Sequence, residues 1–242
     1  MPRTARASLG GLCYHVLHRG NARAVVFHKD GDYQAFLDLI GLSCDRLPMR
    51  VLSFCLMPNH FHLVLRPYDD GDLSRWMQWL MTSHVRRYHR HYPTRGGGHV
   101  WQGRFKAFPI EADEHLLAVI RYIERNPLRA NLVKRAEDWL WSSLRDRLSG
   151  GPRTKKKGET TRSGSKLGVA MPWLSELPID LPRNWRQRVN QAESDVELAA
   201  LRRSVHRGTP YGGEKWTARI ADVLGLESTV RPRGRPRKEV EK

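Results

Sequence analysis

The segment His60-Phe61-His62-Leu63-Val64-Leu65-Arg66 constrains the fold most. Residues 61, 63 and 65 alternate with residues 60, 62 and 64, which is the period of a β-strand with two distinct faces. Phe61, Leu63 and Leu65 require a core on one side. His60 and His62, at i and i+2, project together from the other. Two imidazoles this close can share one divalent cation and leave coordination sites for a carboxamide, water or phosphate oxygen. The ordinary fate of such a pair is one hydrogen-bonded ring and one exposed ring. The metal reading gains weight because the polar pair interrupts an otherwise apolar strand.

Flanking segments place this strand in a pattern. Residues 12–19 read as a strand closed by Gly20-Asn21, and residues 49–56 as another. Asp32 to Leu47 has helical spacing at Phe36, Leu39 and Ile40, with Pro48 as its stop. Leu73 to Tyr92 predicts a long helix with a basic C-terminal half, ended by Pro93, and Gly96-Gly97-Gly98 a loop. Arg104–Ile110 reads as a fourth strand. Asp113 is the N-cap of a helix to about Arg125, which Asn126-Pro127 terminates. The order β-α-β-β-α-β, then a helix, predicts an α+β, ferredoxin-like domain with an antiparallel sheet over residues 1–148. Residues 149–168 are rich in Gly, Ser, Thr, Lys and Arg and read as a linker. A smaller, mostly helical unit follows over 169–230, with Ser194–His206 and Gly213–Leu224 as a helical pair. A basic tail occupies 231–242.

Composition narrows the partner. The 242 residues carry 42 Lys+Arg against 25 Asp+Glu, a formal net charge of +17, and are 40% hydrophobic with 8 Trp. That is enough apolar content for a core, and such a charge attracts polyanions. No apolar run approaches a membrane span and no signal peptide is evident, so nucleic acid is the expected partner, with no membrane. A soluble basic protein without a specific partner carries the same charge. Cys13, Cys44 and Cys55 form no C-x-x-C motif, which fits a reducing cytoplasm rather than a disulfide scaffold.

The helix 113–126 offers the second half of a site. Leu116, Leu117, Ile120 and Ile123 form its core stripe. Tyr122 and Asn126, at i and i+4, lie on one flank, so a phenol and a carboxamide stand side by side. Taken alone, Tyr122 is more simply a core-edge tyrosine and Asn126 a helix stop. His115 shares that flank, but an exposed first-turn histidine is its simpler reading, and no general base stands out.

Several of these segments together carry a resemblance. Met57-Pro58-Asn59-His60-Phe61-His62-Leu63, Trp101-Gln102-Gly103-Arg104-Phe105-Lys106 and Tyr122-Ile123-Glu124-Arg125-Asn126-Pro127-Leu128-Arg129-Ala130 resemble the motifs of single-tyrosine HUH transposases, and among these the REP-associated tyrosine transposases. Arg19-Gly20-Asn21 and residues 139–143 also fit, and the motifs span about residues 12–145 in order. Arg207 to Gly212 and the basic tail are similar to the C-terminal extension of larger members. The resemblance implies an HUH domain in which His60, His62 and Asn126 hold Mg²⁺ or Mn²⁺ and Tyr122 is the nucleophile. Imidazole ordinarily suits zinc or copper better, and the choice of metal follows the resemblance. It further implies nicking and rejoining of single strands beside DNA hairpins of imperfect palindromes, through a 5′-phosphotyrosine.

A DNA surface is expected around that site. Arg86, Arg87 and Arg90 sit on the basic helix, where a phosphate-contacting face competes with a merely solvated one. Trp101, Gln102, Arg104 and Lys106 suit base stacking with backbone contacts on a single strand, or else a core Trp beside a basic strand edge. Arg233, Arg235 and Arg237 lie in Arg231-Pro232-Arg233-Gly234-Arg235-Pro236-Arg237-Lys238, whose Arg-Gly-Arg-Pro is the core of an AT-hook for A·T-rich duplex; a plain basic tail is the alternative. Two rival functions stay open: a DNA- or RNA-hairpin binder without chemistry on the same fold, and a two-tyrosine nuclease using Tyr88 and Tyr92. The expected setting is cytoplasmic and nucleoid-associated, as a monomer or homodimer.

Overall fold

The computed structural model describes residues 8–92, 98–148 and 171–231. The expected linker at 149–168, most of the triple-glycine loop, and Arg233, Arg235 and Arg237 lie outside the described residues. The chain runs β1 (Cys13–Arg19), α1 (Asp30–Arg46), β2 (Met49–Met57), β3 (His60–Pro67), α2 (Asp72–His91), β4 (Lys106–Ile110), α3 (Glu114–Glu124) and α4 (Asn126–Arg129). It continues with α5 (Ser143–Leu148), α6 (Trp185–Asn190), α7 (Asp195–Arg207), α8 (Glu214–Val223) and α9 (Glu227–Val230). The sheet order is β2-β3-β1-β4, with every neighbouring pair antiparallel. This is the ferredoxin-like α+β architecture that the order of elements predicts.

Local chemistry sets the element boundaries. Helix α1 begins two residues earlier than the apolar spacing suggests, because Asp32 is its third residue rather than its cap. The Asp32 carboxylate reaches back to accept the backbone N–H of His28 at 2.8 Å and of Lys29 at 3.2 Å, satisfying donors that a helix start leaves open. Asp113 caps α3 as expected, its Oδ1 accepting the His115 N–H at 2.9 Å. Asn126-Pro127 ends α3 but does not end helical structure. Proline fits the first turn of a helix, where its missing N–H costs nothing, so the separate turn α4 starts at Asn126. Strand β4 is two residues shorter than expected and starts at Lys106.

The sheet has a core on each face. On one, Phe61, Leu63 and Leu65 of β3 pack with Phe36 and Ile40 of α1 and Trp76 and Leu80 of α2. On the other, Val64 packs with Leu116, Val119, Ile120 and Ile123 of α3. The side chains of His60 and His62 therefore meet α3, while α1 and α2 lie behind the sheet.

Residues 171–231 join both cores and both sheet edges. Leu174 bridges Val51 of β2, and the Ser175 N–H donates to the Val51 carbonyl at 2.8 Å. Tyr211 bridges Ile110 of β4, with its N–H on the Pro109 carbonyl at 2.9 Å and its carbonyl taking the Glu111 N–H at 3.0 Å. Open strand edges are thus covered by the chain itself. Trp185, Val189 and Leu201 bury against the α3 face. Beneath them lies Glu124, fully buried, whose carboxylate accepts from Ser143 at 2.7 Å, Arg147 at 2.9 Å and the Trp185 indole at 2.8 Å. A buried carboxylate needs this saturation. None of the described helices is long and apolar enough to cross a membrane.

Candidate functional site

His60, His62, Tyr122 and Asn126 come together on the α3 face of the sheet. The two imidazole centroids lie 5.0 Å apart, and the Tyr122 ring meets His62 edge-on at 6.0 Å. The Asn126 carboxamide nitrogen donates to His62 Nε2 at 2.7 Å. Helical turns run on from α3 into α4, with the Arg125 N–H on the Arg121 carbonyl and the Arg129 N–H on the Arg125 carbonyl. The i, i+4 relation of Tyr122 and Asn126 is therefore kept across the junction.

The outer hydrogen bonds orient both imidazoles. Since His62 Nε2 accepts from Asn126, its proton sits on Nδ1, which donates to Nε2 of the buried His15 at 2.8 Å. His60 Nδ1 donates to Asn59 Oδ1 at 2.7 Å, and Asn59 Nδ2 is itself spent on the Arg23 carbonyl at 3.0 Å. Both Nε2 atoms are thereby kept as acceptors, the one on His62 held by the Asn126 N–H, the arrangement that outer-shell partners create around ligating histidines. Burial, with Arg19 and Arg129 nearby, pushes the His60 pKa down to about 4. Burial drives His62 well below its ordinary value, helped by its neighbours His60, His15 and the two arginines. Neutral imidazole is the ligating form.

This donor set fits a divalent ion. Two neutral nitrogens and a carboxamide converge, and the carboxamide end lies 2.7 Å from His62 Nε2. Adjacent ligands at ~2.1 Å in an octahedral shell are themselves about 3 Å apart. With rotation of the carboxamide to present its oxygen, His60, His62 and Asn126 could supply three positions and leave others for phosphate and water. A second group, Glu111, Asp113 and His115, gathers its ligand atoms within 4.8 Å. Its members are already engaged: Asp113 caps α3, Glu111 accepts the Gly213 N–H at 2.7 Å, and the His115 ring packs edge-on against Tyr211. It stands at the far end of α3, two turns from Tyr122.

The expected DNA contacts divide. Gln102, Arg104 and Lys106 are exposed. Lys106 is opposite Leu17 in the β1–β4 register, and Leu17 is opposite His62 in the β1–β3 register, so Lys106 shares the imidazole face. Trp101 does not present a ring for base stacking. It is only 4% exposed, stacks on His18 with centroids 5.0 Å apart, and donates its indole N–H to His84 Nδ1 at 3.2 Å. Flanked by Phe27, Phe36 and Phe61, it is a core residue. Arg86, Arg87 and Arg90 are exposed on α2. Arg87 and Arg90 line a cleft of about 490 Å³ with Lys29, Tyr88 and Tyr92, on the side of the sheet away from the imidazoles. Tyr88 and Tyr92 belong there too, bonded to His28 at 3.1 Å and Asp32 at 2.7 Å, so neither phenol faces the histidine pair.

Sequence reasoning missed four contributors. Arg19 lies directly across from His60 in the β1–β3 register. His15 and Asn59 orient the imidazoles from behind. Arg129 lays its guanidinium carbon 4.1 Å from the centroid of the Tyr122 ring. His15 had a usable signal, since it alternates with Tyr14 and Val16 as His62 does with its neighbours. Arg129 had none beyond its place in the motif.

A four-stranded antiparallel sheet with an H-x-H strand facing a helix-borne Tyr-x₃-Asn is the arrangement that the resemblance to single-tyrosine transposases implies. Residues 8–126 match the family described as Transposase IS200 like. The chain is similar to a protein of Haemophilus influenzae that carries the provisional name REP-associated tyrosine transposase, with 26% identity over 110 residues. That match takes in 42% of this chain and 62% of the relative's length. The fold is also that of a REP-associated tyrosine transposase solved bound to a REP hairpin, with a TM-score of 0.53 and 18% identity, covering 70% of this chain and all of the other.

Proposed function

We propose that this protein is a metal-dependent transposase that nicks and rejoins single-stranded DNA beside hairpins. The observation that carries this reading is the convergence of two oriented imidazoles, a carboxamide and a single phenol on one face of the sheet. A pure hairpin binder needs no such convergence.

In this reading the chain's residues act as follows. His60, His62 and Asn126 would hold Mg²⁺ or Mn²⁺, which when bound neutralises charge on the scissile phosphate and makes phosphorus more electrophilic. Arg19 and Lys106, on the same face, would draw the strand's backbone toward the site. Tyr122 Oη attacks phosphorus and forms the new P–O bond, while the bond to the 3′-oxygen breaks. The phenol proton passes to solvent, and the leaving oxygen ends as a 3′-hydroxyl. The phosphodiester energy is kept in the 5′-phosphotyrosine, so a second 3′-hydroxyl reverses the step and joins a new strand without ATP.

The test is covalent capture. Protein incubated with a single-stranded DNA hairpin and Mg²⁺ or Mn²⁺ should give a protein–DNA band that survives denaturing electrophoresis. Tyr122→Phe should lose that band and keep hairpin affinity. Tight hairpin binding with no band under any divalent metal would reduce the protein to a binder.

A further inference from the structure

The nucleophile helix is gripped by residues far downstream. Arg121, Arg125 and Arg129 stand at i, i+4 and i+8 on the α3–α4 surface, and all three hold the segment that joins α6 to α7. Arg121 donates to the carbonyls of Arg188 at 2.8 Å, Gln191 at 3.1 Å and Ala192 at 3.0 Å. Arg125 Nε donates to the Gln191 carbonyl at 2.8 Å. These are docking contacts to backbone and would serve with many side chains at 191 and 192.

Arg129, the last rung, differs. Its Nη1 donates to Glu193 Oε1 at 2.9 Å, and the Glu193 side chain is 1% exposed. The other Glu193 oxygen lies 3.7 Å from Arg125 Nε. Arg129 Nη2 donates to the Tyr122 carbonyl at 3.3 Å. The guanidinium carbon lies over the Tyr122 ring, 4.1 Å from its centroid and well inside the range of cation–π attraction. The ring is thus held on its face by Arg129 and at its edge by His62. Glu193 and Arg129 both lie beyond residues 8–126, the segment that defines the family.

We propose that Glu193, on the C-terminal part of the chain, is a positioning residue for the nucleophile: it holds Arg129 over Tyr122, and Arg129 holds the phenol ring toward His60 and His62. This rests on Tyr122 being the nucleophile. A guanidinium on a flexible four-bond stem samples many rotamers, and a buried carboxylate selects one of them. Removing the carboxylate releases the guanidinium, and the ring loses the restraint on that face. The C-terminal part thereby completes the reactive geometry of the first.

The test uses the full-length protein labelled with fluorotyrosine, the Tyr122 line being assigned by its loss in Tyr122→Phe. Glu193→Gln should move or broaden that line, and Arg129→Ala should do the same. The double variant should go no further than Arg129→Ala, because the two act in series. The rate of adduct formation at saturating hairpin should fall about 10- to 100-fold in each single variant, with hairpin affinity unchanged. Arg129→Lys keeps the ion pair but loses the guanidinium over the ring, so it should also move the line, and it decides the matter should Glu193→Gln not fold. A folded Glu193→Gln or Arg129→Lys protein with an unmoved Tyr122 line overturns the proposal and leaves Glu193 a structural dock. An absence of adduct in the unmodified protein counts instead against the proposed activity, and the fluorine lines still judge the positioning.

Discussion

At the scale of single residues, the site depends on atoms that no ligand would touch. Asn59 fixes the proton of His60, and His15 fixes that of His62. Asn59→Ala and His15→Phe should each weaken Mn²⁺ binding about 10- to 100-fold, the usual effect of losing an outer-shell partner. Calorimetric titration with Mn²⁺ checks this, and unchanged affinity in both variants would mean that the imidazoles are oriented by packing alone. Strand period and helix period pair His60 with His62 and Tyr122 with Asn126, but the residues alone favoured plainer roles for both pairs, and it was the resemblance to a family that made them a site. That the two pairs meet was not legible from either period. It depends on α3 crossing the sheet on the face opposite α1 and α2, a tertiary fact. Trp101 shows the converse limit. Its neighbours in the chain are polar and basic, which suggests a nucleic-acid contact, but the aromatic residues that enclose it come from positions 18, 27, 36, 61 and 84.

At the scale of elements, the turn after β1 calls for the closest test, since it buttresses Asn59 beside the histidine pair. The Gly20 N–H donates to the Asn59 carbonyl at 2.8 Å, and the Arg23 carbonyl holds the Asn59 side chain. A Cβ on Gly20 would lie 2.3 Å from the Ala24 carbonyl oxygen and 2.8 Å from Val26, too close for either to stay in place. Gly20→Ala should cost about 1–3 kcal/mol of stability, as overpacking does. It should also loosen Mn²⁺ binding through Asn59. Urea unfolding and the same Mn²⁺ titration test the two effects separately. A stability loss with unaltered metal affinity would show that the turn and the site are uncoupled. Strands and long helices were read from the sequence to within about two residues because their apolar periods are strong. The exceptions have local causes: Asp32 caps from inside α1, and Pro127 starts a turn instead of only stopping one. The bridges of Leu174 and Tyr211 to the sheet edges had no such signal, because isolated pairings carry no period.

At the scale of the whole molecule, the charge of +17 and the buried histidines make opposite demands on solution conditions. Deleting residues 232–242 removes five basic residues against two acidic ones, and each lost phosphate contact should lower the salt slope of duplex binding by about 0.9. A larger loss on A·T-rich than on G·C-rich duplex would identify a minor-groove hook, and an equal loss a plain basic tail. Acid acts on the interior instead. His84 is buried between α1, α2 and Trp101, accepts the Trp101 indole N–H, and has its pKa pushed down to about 3 by burial, with Arg87 and His18 adding to the shift and Asp32 opposing it. The unfolded chain binds that proton near the ordinary histidine value of about 6.5. Below that pH the unfolded state takes up a proton that the folded state refuses, so stability is full near neutrality and falls as the pH drops toward 3. The loss for one such group is about 1.4 kcal/mol per pH unit once below its unfolded pKa. His84→Gln keeps an acceptor for the Trp101 indole and removes the titration. Urea unfolding between about pH 6 and about pH 4.5 should therefore show a shallower decline for His84→Gln than for the unmodified protein, by about one proton's worth. Equal slopes would mean that His84 is protonated in the folded protein, and that the α1–α2 core opens to water there.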